Sequence, residues 1–316
     1  LDQLGYEIIS TGGTYAALQA AGIKVKQVAE ITGFPEILDG RVKTLHPSVF
    51  GGILARRGNK EDDEQVRQYA IPLIDLVIVD LYPFEETLKN TADDEEIIEK
   101  IDIGGISLIR AAAKNFNDVL IISGREQYPG LLGLLKEKKG FTSAAERRRF
   151  AAEAFMTSSH YDTEIFRYFN KAEGISPFRE SINNANNLRY GENPHQKGIF
   201  FGDTGLIFDK LHGREISYNN LLDIEASLNL IDEFDETTVV IIKHNNACGA
   251  ASRDNLPDAW NDALACDPVS AYGGVVALNR PVDADVAREI ASTFVEVLAA
   301  PDFSGEALAL LAPKTN

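Results

Sequence analysis

The stretch YEIISTGGT, residues 6–14, predicts a short strand, a glycine-containing turn and the start of a helix. Two almost continuous apolar runs follow at 73–81 and 119–123, and such runs are typical of strands buried on both faces of a parallel sheet. Between them, an acidic segment at 93–100 and an alanine-rich segment at 106–115 predict helices. Strand, loop and helix alternate, so this first part of the chain is expected to form an α/β domain.

The remainder of the chain predicts a long helical segment and a second α/β region. Residues 143–171 are helical in pattern throughout, whereas the asparagine-rich stretch 183–187 is typical of a loop. Buried strands are then expected at 238–242 and 274–278, and a helix at 284–299. We therefore expect three parts, a parallel-sheet domain at 1–125, a helical connecting region at 126–186 and a further α/β domain at 187–316.

Composition limits the partners and the compartment. The 316 residues include 31 basic and 48 acidic side chains, and the net charge of −17 would repel a nucleic-acid backbone. Two cysteines cannot form a disulfide scaffold and fit a reducing cytosol. No apolar run reaches the roughly 20 residues that span a bilayer. We expect a cytoplasmic protein that binds neither nucleic acid nor membrane. Because the chain opens at Leu1 and its only methionine is Met156, we also expect both ends to be truncated.

The turn after the first predicted strand has the composition of a phosphate site. Glycines allow the backbone to approach an anion closely, and the start of the following helix supplies free N–H groups and a partial positive charge. The lysine of a P-loop is absent. The alternative is a capped turn between strand and helix with no ligand. The residues concerned are Ser10, Thr11, Gly12, Gly13 and Thr14.

Three further motifs of the first part carry polar groups suited to a nucleotide. Arg41, Lys43 and Thr44 combine two cations and a hydroxyl, which suits a phosphate and a polar heterocycle, although a solvated basic turn would look the same. His46 precedes a proline, and we expect it to make a structural hydrogen bond. Tyr82 follows a buried strand, at the sheet edge where open α/β folds bind ligands.

The fourth motif is Ile101–Gly105, which leads into a helix that carries Lys114. Asp102 is the acidic group of this motif, and an aspartate before two glycines can also be a simple helix cap.

The second part carries its own polar motifs. Asn187–Gln196 is a polar loop that contains a cation and an aromatic ring, and Asp267–Gly274 is another loop that leads into a strand. Lys243 and His244 directly follow a buried strand, and an adjacent lysine and histidine could form an acid–base pair. The alternative is a polar turn at the end of that strand. Neither cysteine begins a Cys-x-x-Cys pair, so we expect no catalytic metal.

In order and spacing, these motifs resemble the family of bifunctional phosphoribosylaminoimidazolecarboxamide formyltransferase and IMP cyclohydrolase enzymes of bacterial purine biosynthesis. The resemblance covers essentially the whole chain, and the probability that seven motifs occur in the same order by chance is very small. The motifs are Ser10–Thr14, Arg41–Pro47, Leu81–Phe84, Ile101–Gly105, Ala111–Asn115, Leu188–Gln196 and Lys243–Gly249.

The resemblance implies a methylglyoxal-synthase-like first domain that carries the cyclohydrolase. The turn at Ser10–Thr14 and Arg41 would hold the nucleotide phosphate. The groups expected around the base would polarise the formyl oxygen while the carboxamide nitrogen attacks, and would then help water to leave. These catalytic groups are Lys43, Tyr82, Asp102 and Lys114, and the further substrate contacts are Thr44, Ile103, Gly104 and Gly105.

The resemblance also implies that the second part begins a formyltransferase whose subdomains resemble cytidine deaminase without its zinc. Lys243 and His244 would move protons while the 5-amino group of AICAR accepts a formyl group from 10-formyltetrahydrofolate. The implied partners are the nucleotides AICAR, its formylated form FAICAR and IMP, together with folate and a second copy in a homodimer. The residues matching ribotide contacts are Arg189, Tyr190, Asn220, Gly273 and Glu296.

The chain departs from the family at both ends. The family's first strand and a Ser-Asp-Lys-Thr-Gly loop of the cyclohydrolase phosphate site are absent, and the family continues beyond Asn316 with much of its folate site. A chain of this extent is therefore not expected to transfer formyl groups. Two alternatives are a methylglyoxal synthase, which does not account for the region after Asn187, and a regulatory nucleotide-sensing domain. The regulatory domain would need a phosphate site but no acid–base groups.

Overall fold

The computed structural model describes residues 1–314 and separates them into two compact units, 1–181 and 182–314. No helix among these residues is both long and apolar enough to cross a membrane. The elements of the first unit are β1 Ile8–Ser10, α1 Gly12–Ala20, β2 Val25–Gln27, α2 Val28–Thr32, α3 Pro47–Leu54, α4 Lys60–Gln68, β3 Leu76–Ile78, α5 Phe84–Asn90, α6 Asp94–Glu99, α7 Gly104–Lys114, β4 Leu120–Ile122, α8 Tyr128–Glu137 and α9 Ala144–Glu173.

The strands of the first unit form two parallel pairs. β1 pairs with β2 in the register Ile8↔Val25, and β3 pairs with β4 in the register Leu76↔Leu120. The predicted burial of 73–81 on both faces is wrong, because Ile78 is 39% exposed while β4 is fully buried. β4 packs against both α7 and α9, whereas β3 packs less closely against these helices, so its residues have less cover.

The core of the first unit lies between α7, α9 and the strand pair β3–β4. Ile109, Ala112 and Ala154 are completely buried there, and Val77 and Ile121 pack against them. The small alanine side chains allow α7 to approach α9 closely. The long helix α9 begins at a capping box, in which Ser143 and Glu146 each accept from the other's backbone N–H. α9 packs against α7 along this core.

The second unit is built around a four-stranded mixed sheet in the order β10-β9-β7-β8. Trp260, the only tryptophan of the chain, is 1% exposed and packs with Ala263 and Ile241 in the largest core of this unit. The elements are β5 Ala185–Asn187, β6 Ile199–Phe201, α10 Tyr218–Ile231, β7 Thr238–Lys243, β8 Asn246–Ser252, α11 Leu256–Cys266, α12 Pro268–Ala271, β9 Val275–Leu278, α13 Ala284–Ala291, β10 Val297–Ala299 and α14 Gly305–Leu311.

Two local predictions for the second unit are wrong. The helix expected at 284–299 ends at Ala291, and Val297–Ala299 is a strand that pairs with β9. The stretch 183–187, expected as a loop, contains β5, which pairs antiparallel with β6. In both cases the backbone finds a partner strand that is distant in sequence, and local composition does not report such pairing. The predicted divisions at 125 and 186 stay predictions.

Gly249 lies where β8 passes close to α11, and we expect alanine there to destabilise the second unit. An added Cβ would lie 1.9 Å from the Ala263 carbonyl oxygen, a backbone atom of a packed helix. The strand and the helix would have to separate, so Gly249→Ala should lower the free energy of unfolding by about 3 kcal/mol. Denaturant titration followed by Trp260 fluorescence measures this, since the indole is buried beside Ala263.

Gly305→Ala is the matched control, because an added Cβ at Gly305 meets nothing within 4 Å and alanine favours the helix α14. Equal unfolding midpoints for Gly249→Ala and the native chain would contradict the close approach of β8 to α11.

Candidate functional site

The first candidate site begins in a tight hairpin that carries Arg41 and Lys43. Ile37 and Val42 form an isolated antiparallel bridge, and the residues between them bend sharply. Leu38 and Asp39 have φ values of 54° and 53°, and Gly40 follows at 81°. Positive φ is rare for leucine and costs conformational energy. Because such strain is commonest where a loop presents functional groups, it supports the prediction that this hairpin belongs to a site.

The hairpin places the Lys43 ammonium group beside the start of α1. A methyl group added to Gly12 would lie 3.5 Å from Lys43 Nζ, and one added to Gly40 would lie 2.7 Å from Lys43 Cε. Lys43 Nζ is also 3.8 Å from the Glu36 carboxylate. The lysine that is missing from the Ser10–Thr14 sequence motif is therefore supplied by Lys43 of the hairpin.

The start of α1 is open. Thr11 is the N-cap residue and has extended backbone geometry, but within the described part of the chain no side chain caps this helix. The structure therefore lacks the side-chain cap that the alternative of a capped turn requires, since the Thr11 hydroxyl accepts no hydrogen bond from the first N–H groups of α1. The first N–H groups of α1 stay available, and with the helix dipole they favour an anion at this position.

Thr44, the residue after Lys43, lies beside the start of α7. Its Oγ1 lies 3.1 Å from where a Cβ on Gly104 would be, so its hydroxyl contacts the first residue of α7. Asp102 accepts a hydrogen bond from the Gly105 N–H over 2.6 Å, and it lies one residue before Ile103, which is the N-cap of α7 and makes no side-chain cap bond. Lys43 and Thr44 are adjacent in sequence, so one segment of the chain contacts the starts of both α1 and α7.

The remaining predicted residues of this unit divide into near and distant groups. Arg41 is exposed and pairs with Glu99 at 3.5 Å, three residues before Asp102. Tyr82 is 49% exposed, and its neighbours Leu81 and Phe84 pack in the cluster that also holds Ile101 and Ile106. Lys114 lies in the last turn of α7, and helix geometry places it about 15 Å along the axis from Gly104.

His46 makes the structural hydrogen bond that its sequence context predicts. Its Nδ1 accepts from the Ser48 N–H over 3.2 Å, and it is the N-cap of α3, directly before Pro47. His46 therefore holds the backbone in place where the Arg41–Thr44 segment continues into α3.

Glu36 is a residue of this site that the sequence did not reveal, and we expect its removal to strengthen nucleotide binding. Its carboxylate lies 3.8 Å from Lys43 Nζ and would compete with an incoming nucleotide for that ammonium group. Both side chains are partly exposed, so Glu36→Gln should tighten the binding of IMP by about 2- to 5-fold. Isothermal titration calorimetry measures this, with Glu7→Gln as the control because Glu7 pairs with Lys26 instead. Weaker binding by Glu36→Gln would contradict the competition.

The second candidate site begins at Arg189 and Tyr190, in the second unit. The Arg189 guanidinium lies over the Tyr190 ring at 4.9 Å and donates to Glu296 Oε1 over 3.0 Å. Its Nε is buried and has no hydrogen-bond partner among residues 1–314. An unpaired buried donor costs free energy, and a ligand oxygen would relieve that cost. Three of the predicted ribotide residues thus lie in direct contact.

Gly273 and Lys243 lie beside this group. Gly273 has a φ of 74° and donates its N–H to the Phe294 carbonyl, while the Glu296 N–H donates to Gly274. Lys243 Nζ donates to the Tyr272 carbonyl over 2.6 Å. Because these bonds join the loop before β9 to the loop before β10, Gly273, Lys243 and Glu296 are brought to one edge of the sheet.

His244 lies in the two-residue turn between β7 and β8. His244 and Asn245 have φ values of 54° and 62°, as in a type I′ hairpin turn. The Asn245 N–H donates to Asp223 Oδ1 on α10 over 2.7 Å. The His244 side chain is exposed, and its imidazole makes no hydrogen bond within the described residues. Asp223 is a residue that the sequence analysis missed, because no motif marked it.

Asn220 is the last predicted residue of the second site, and it lies one turn before Asp223 on α10. Its Oδ1 accepts from the Ser217 hydroxyl over 2.8 Å, which makes it part of a capping box at the start of α10. The Tyr218 N–H donates to the Tyr190 carbonyl over 3.1 Å. The start of α10 therefore connects the Arg189–Tyr190 loop to the His244 turn.

Two surface depressions of about 510 and 350 Å³ are lined by 210–214 with Ala312, and by 183–186 with 202–204. Neither depression contains a predicted site residue. Among residues 1–314, no group of three or more histidine, cysteine or acidic side chains is arranged to hold a metal ion.

An α/β first unit with an uncapped helix start beside a lysine is an arrangement that suits the binding of a phosphate group. Comparison with known families identifies the family of the chain. Residues 1–107 match the MGS-like domain, and residues 112–316 match the AICARFT/IMPCHase bienzyme family. The chain belongs to the AICARFT/IMPCHase bienzyme family. Neither alternative, a methylglyoxal synthase or a regulatory sensing domain, accounts for the match over 112–316.

Curated relatives extend the match over nearly the whole chain. The chain is 56% identical over 312 residues to the bifunctional purine biosynthesis protein PurH of Bacteroides thetaiotaomicron, covering 99% of this chain and 61% of that protein. It is 47% identical to the PurH protein of Aquifex aeolicus, covering 100% and 64% respectively. The chain thus spans less than two thirds of these relatives' length. A solved structure titled crystal structure of ForH is 38% identical, covering 53% of this chain and 86% of that one, with a TM-score of 0.47.

Proposed function

We propose that the first unit binds the phosphate of the formylated ribotide FAICAR and closes its ring to IMP. The observation that carries the proposal is that one segment, Lys43 with Thr44, contacts both the open start of α1 and the start of α7, where Asp102 accepts from the Gly105 N–H. An anion held by the N–H groups of Gly12 and Gly13 would leave the base within reach of the second helix. Family membership supports this choice over other phosphate ligands.

Ring closure forms a bond between the carboxamide nitrogen and the formyl carbon. The formyl oxygen then leaves as water with two protons, one lost by the carboxamide nitrogen and one lost by the formamido nitrogen as the ring C=N bond forms. Negative charge develops on the formyl oxygen during attack, and the Lys43 ammonium can stabilise that charge. The Asp102 carboxylate can accept the proton that the carboxamide nitrogen loses. The Tyr82 hydroxyl, which is half exposed, can donate a hydrogen bond to the departing oxygen. Lys114, in the last turn of α7, would contact a part of the substrate that extends along this helix.

The test is to incubate the chain with FAICAR and to follow the absorbance change as IMP forms. We expect product formation that falls when Tyr82→Phe removes the hydroxyl. No product from the native chain at any enzyme concentration, in a sample shown to be folded by Trp260 fluorescence and by circular dichroism, would reject the proposal.

We further propose that the second unit contributes to the ribotide site for formyl transfer from 10-formyltetrahydrofolate to AICAR. The unpaired Arg189 Nε and the adjacent Glu296 would receive the ribotide, and Lys243 and His244 would move protons at the amino group. From the same family membership we propose that the protein is a cytoplasmic homodimer, that folate is its co-substrate and that the reaction uses no catalytic metal.

We also propose the domain divisions at residues 125 and 186.

A further inference from the structure

Tyr161 on α9 connects two backbone groups in the segment that ends at Asp102. The Asp102 N–H donates to Tyr161 Oη over 2.8 Å, and the hydroxyl donates to the Lys100 carbonyl over 2.9 Å. The side chain is 7% exposed. Burial raises the pKa of Tyr161 to about 12, although the hydrogen bond from Asp102 opposes the rise. The hydroxyl therefore remains a donor at any pH used to assay the protein.

The Tyr161 ring also contacts the segment that carries Tyr82. Its centroid lies 6.1 Å from that of Phe84 in an edge-to-face arrangement, two residues after Tyr82. Leu81 and Ile101 pack in the same cluster. One buried side chain thus contacts both segments that present proposed catalytic groups, and its polar atom is bound to only one of them.

We infer that Tyr161 is a positioning residue for ring closure, one that fixes Asp102 through its backbone N–H. The inference rests on the proposed function of the first unit. The Asp102 carboxylate accepts from the start of α7, and the Asp102 backbone N–H donates to Tyr161 on α9. The residue is therefore held by two hydrogen bonds, one at its side chain and one at its backbone. Without the Tyr161 hydroxyl, one of these bonds is lost and the carboxylate can shift. Catalytic geometry tolerates little displacement, so the loss falls on kcat rather than on KM.

Tyr161→Phe is the test, since it keeps the ring and removes the hydroxyl. We expect kcat for ring closure to fall about 10- to 100-fold with KM within about threefold of the native value. Amide hydrogen exchange at Asp102 should accelerate by about 10-fold or more. Adding Tyr161→Phe to Asp102→Asn should lower kcat no further, because a residue that acts through Asp102 has nothing left to position.

Tyr168→Phe is the matched control. Tyr168 lies on the same helix and packs edge-to-face on the same Phe84 ring at 6.0 Å, but its hydroxyl bonds to Asp94. We expect its kcat to stay within about twofold of native. An unchanged kcat for Tyr161→Phe, an equal loss for Tyr168→Phe, or independent effects of Tyr161→Phe and Asp102→Asn would overturn the inference. If the native chain forms no IMP, the proposed function fails, and the exchange rate at Asp102 alone then decides whether Tyr161 fixes that segment.

Discussion

Lys43→Met is expected to lower kcat/KM for ring closure of FAICAR by about 100- to 1000-fold. Lys43 is the cation that the structure places at the start of α1, and Thr44 beside it contacts the start of α7. Methionine keeps the length of the apolar stem that packs on Gly40 but removes the charge. The developing charge on the formyl oxygen would lose its nearest ammonium group. Continuous absorbance assays over a range of FAICAR concentrations measure the change.

The matched control for this prediction is Lys24→Met. Lys24 is an exposed lysine of the same unit, immediately before β2 and outside the site. It makes the same change in net charge, so a general electrostatic effect would appear equally in both variants. Activity of Lys43→Met within about threefold of native would show that Lys43 does not act in the reaction.

The second large effect is expected at His244, where His244→Asn should lower the rate of formyl transfer by about 100-fold or more. Asparagine tolerates the positive φ of this turn position better than most residues, so the type I′ turn and the Asp223 contact should survive. The substitution then removes the imidazole and little else. The rate is measured with AICAR and 10-formyltetrahydrofolate in the whole protein encoded by the gene.

Asn245→Gly is the control for the turn itself, because glycine adopts positive φ readily and position 245 keeps its N–H for Asp223. We expect this variant to transfer formyl groups at a rate within about threefold of native. If His244→Asn transferred as fast as Asn245→Gly, proton transfer by His244 would be ruled out.

Sequence alone located the strands well where the apolar pattern was unambiguous. β4 lies inside the run at 119–123, and β7 covers 238–242 with one residue added. The helix expected at 284–299 failed because its second half forms a strand on β9, at Val297–Ala299. A short apolar segment fits either structure locally, and the partner strand decides between them.

The candidate sites show a similar division. The Ser10–Thr14 and Lys243–His244 motifs are local, and sequence indicated them directly. Glu36, Tyr161 and Asp223 were missed, because each lies outside the motif that it contacts through an ion pair or hydrogen bonds. Such contacts leave no spacing in the sequence. The adjacency of Lys43 and Gly12 likewise depends on the strained hairpin at 37–42, whose positive φ values at Leu38 and Asp39 are not those residues' usual choice.

A structure of the chain with IMP bound shows directly which groups hold the nucleotide. We expect phosphate oxygens within hydrogen-bond distance of the Gly12 and Gly13 N–H groups, with the base directed toward Lys43 Nζ and Asp102. We also expect that Glu36 no longer lies nearest to Lys43. A phosphate bound elsewhere on the first unit, or no binding at saturating IMP, would contradict the assignment of the cyclohydrolase site to the starts of α1 and α7.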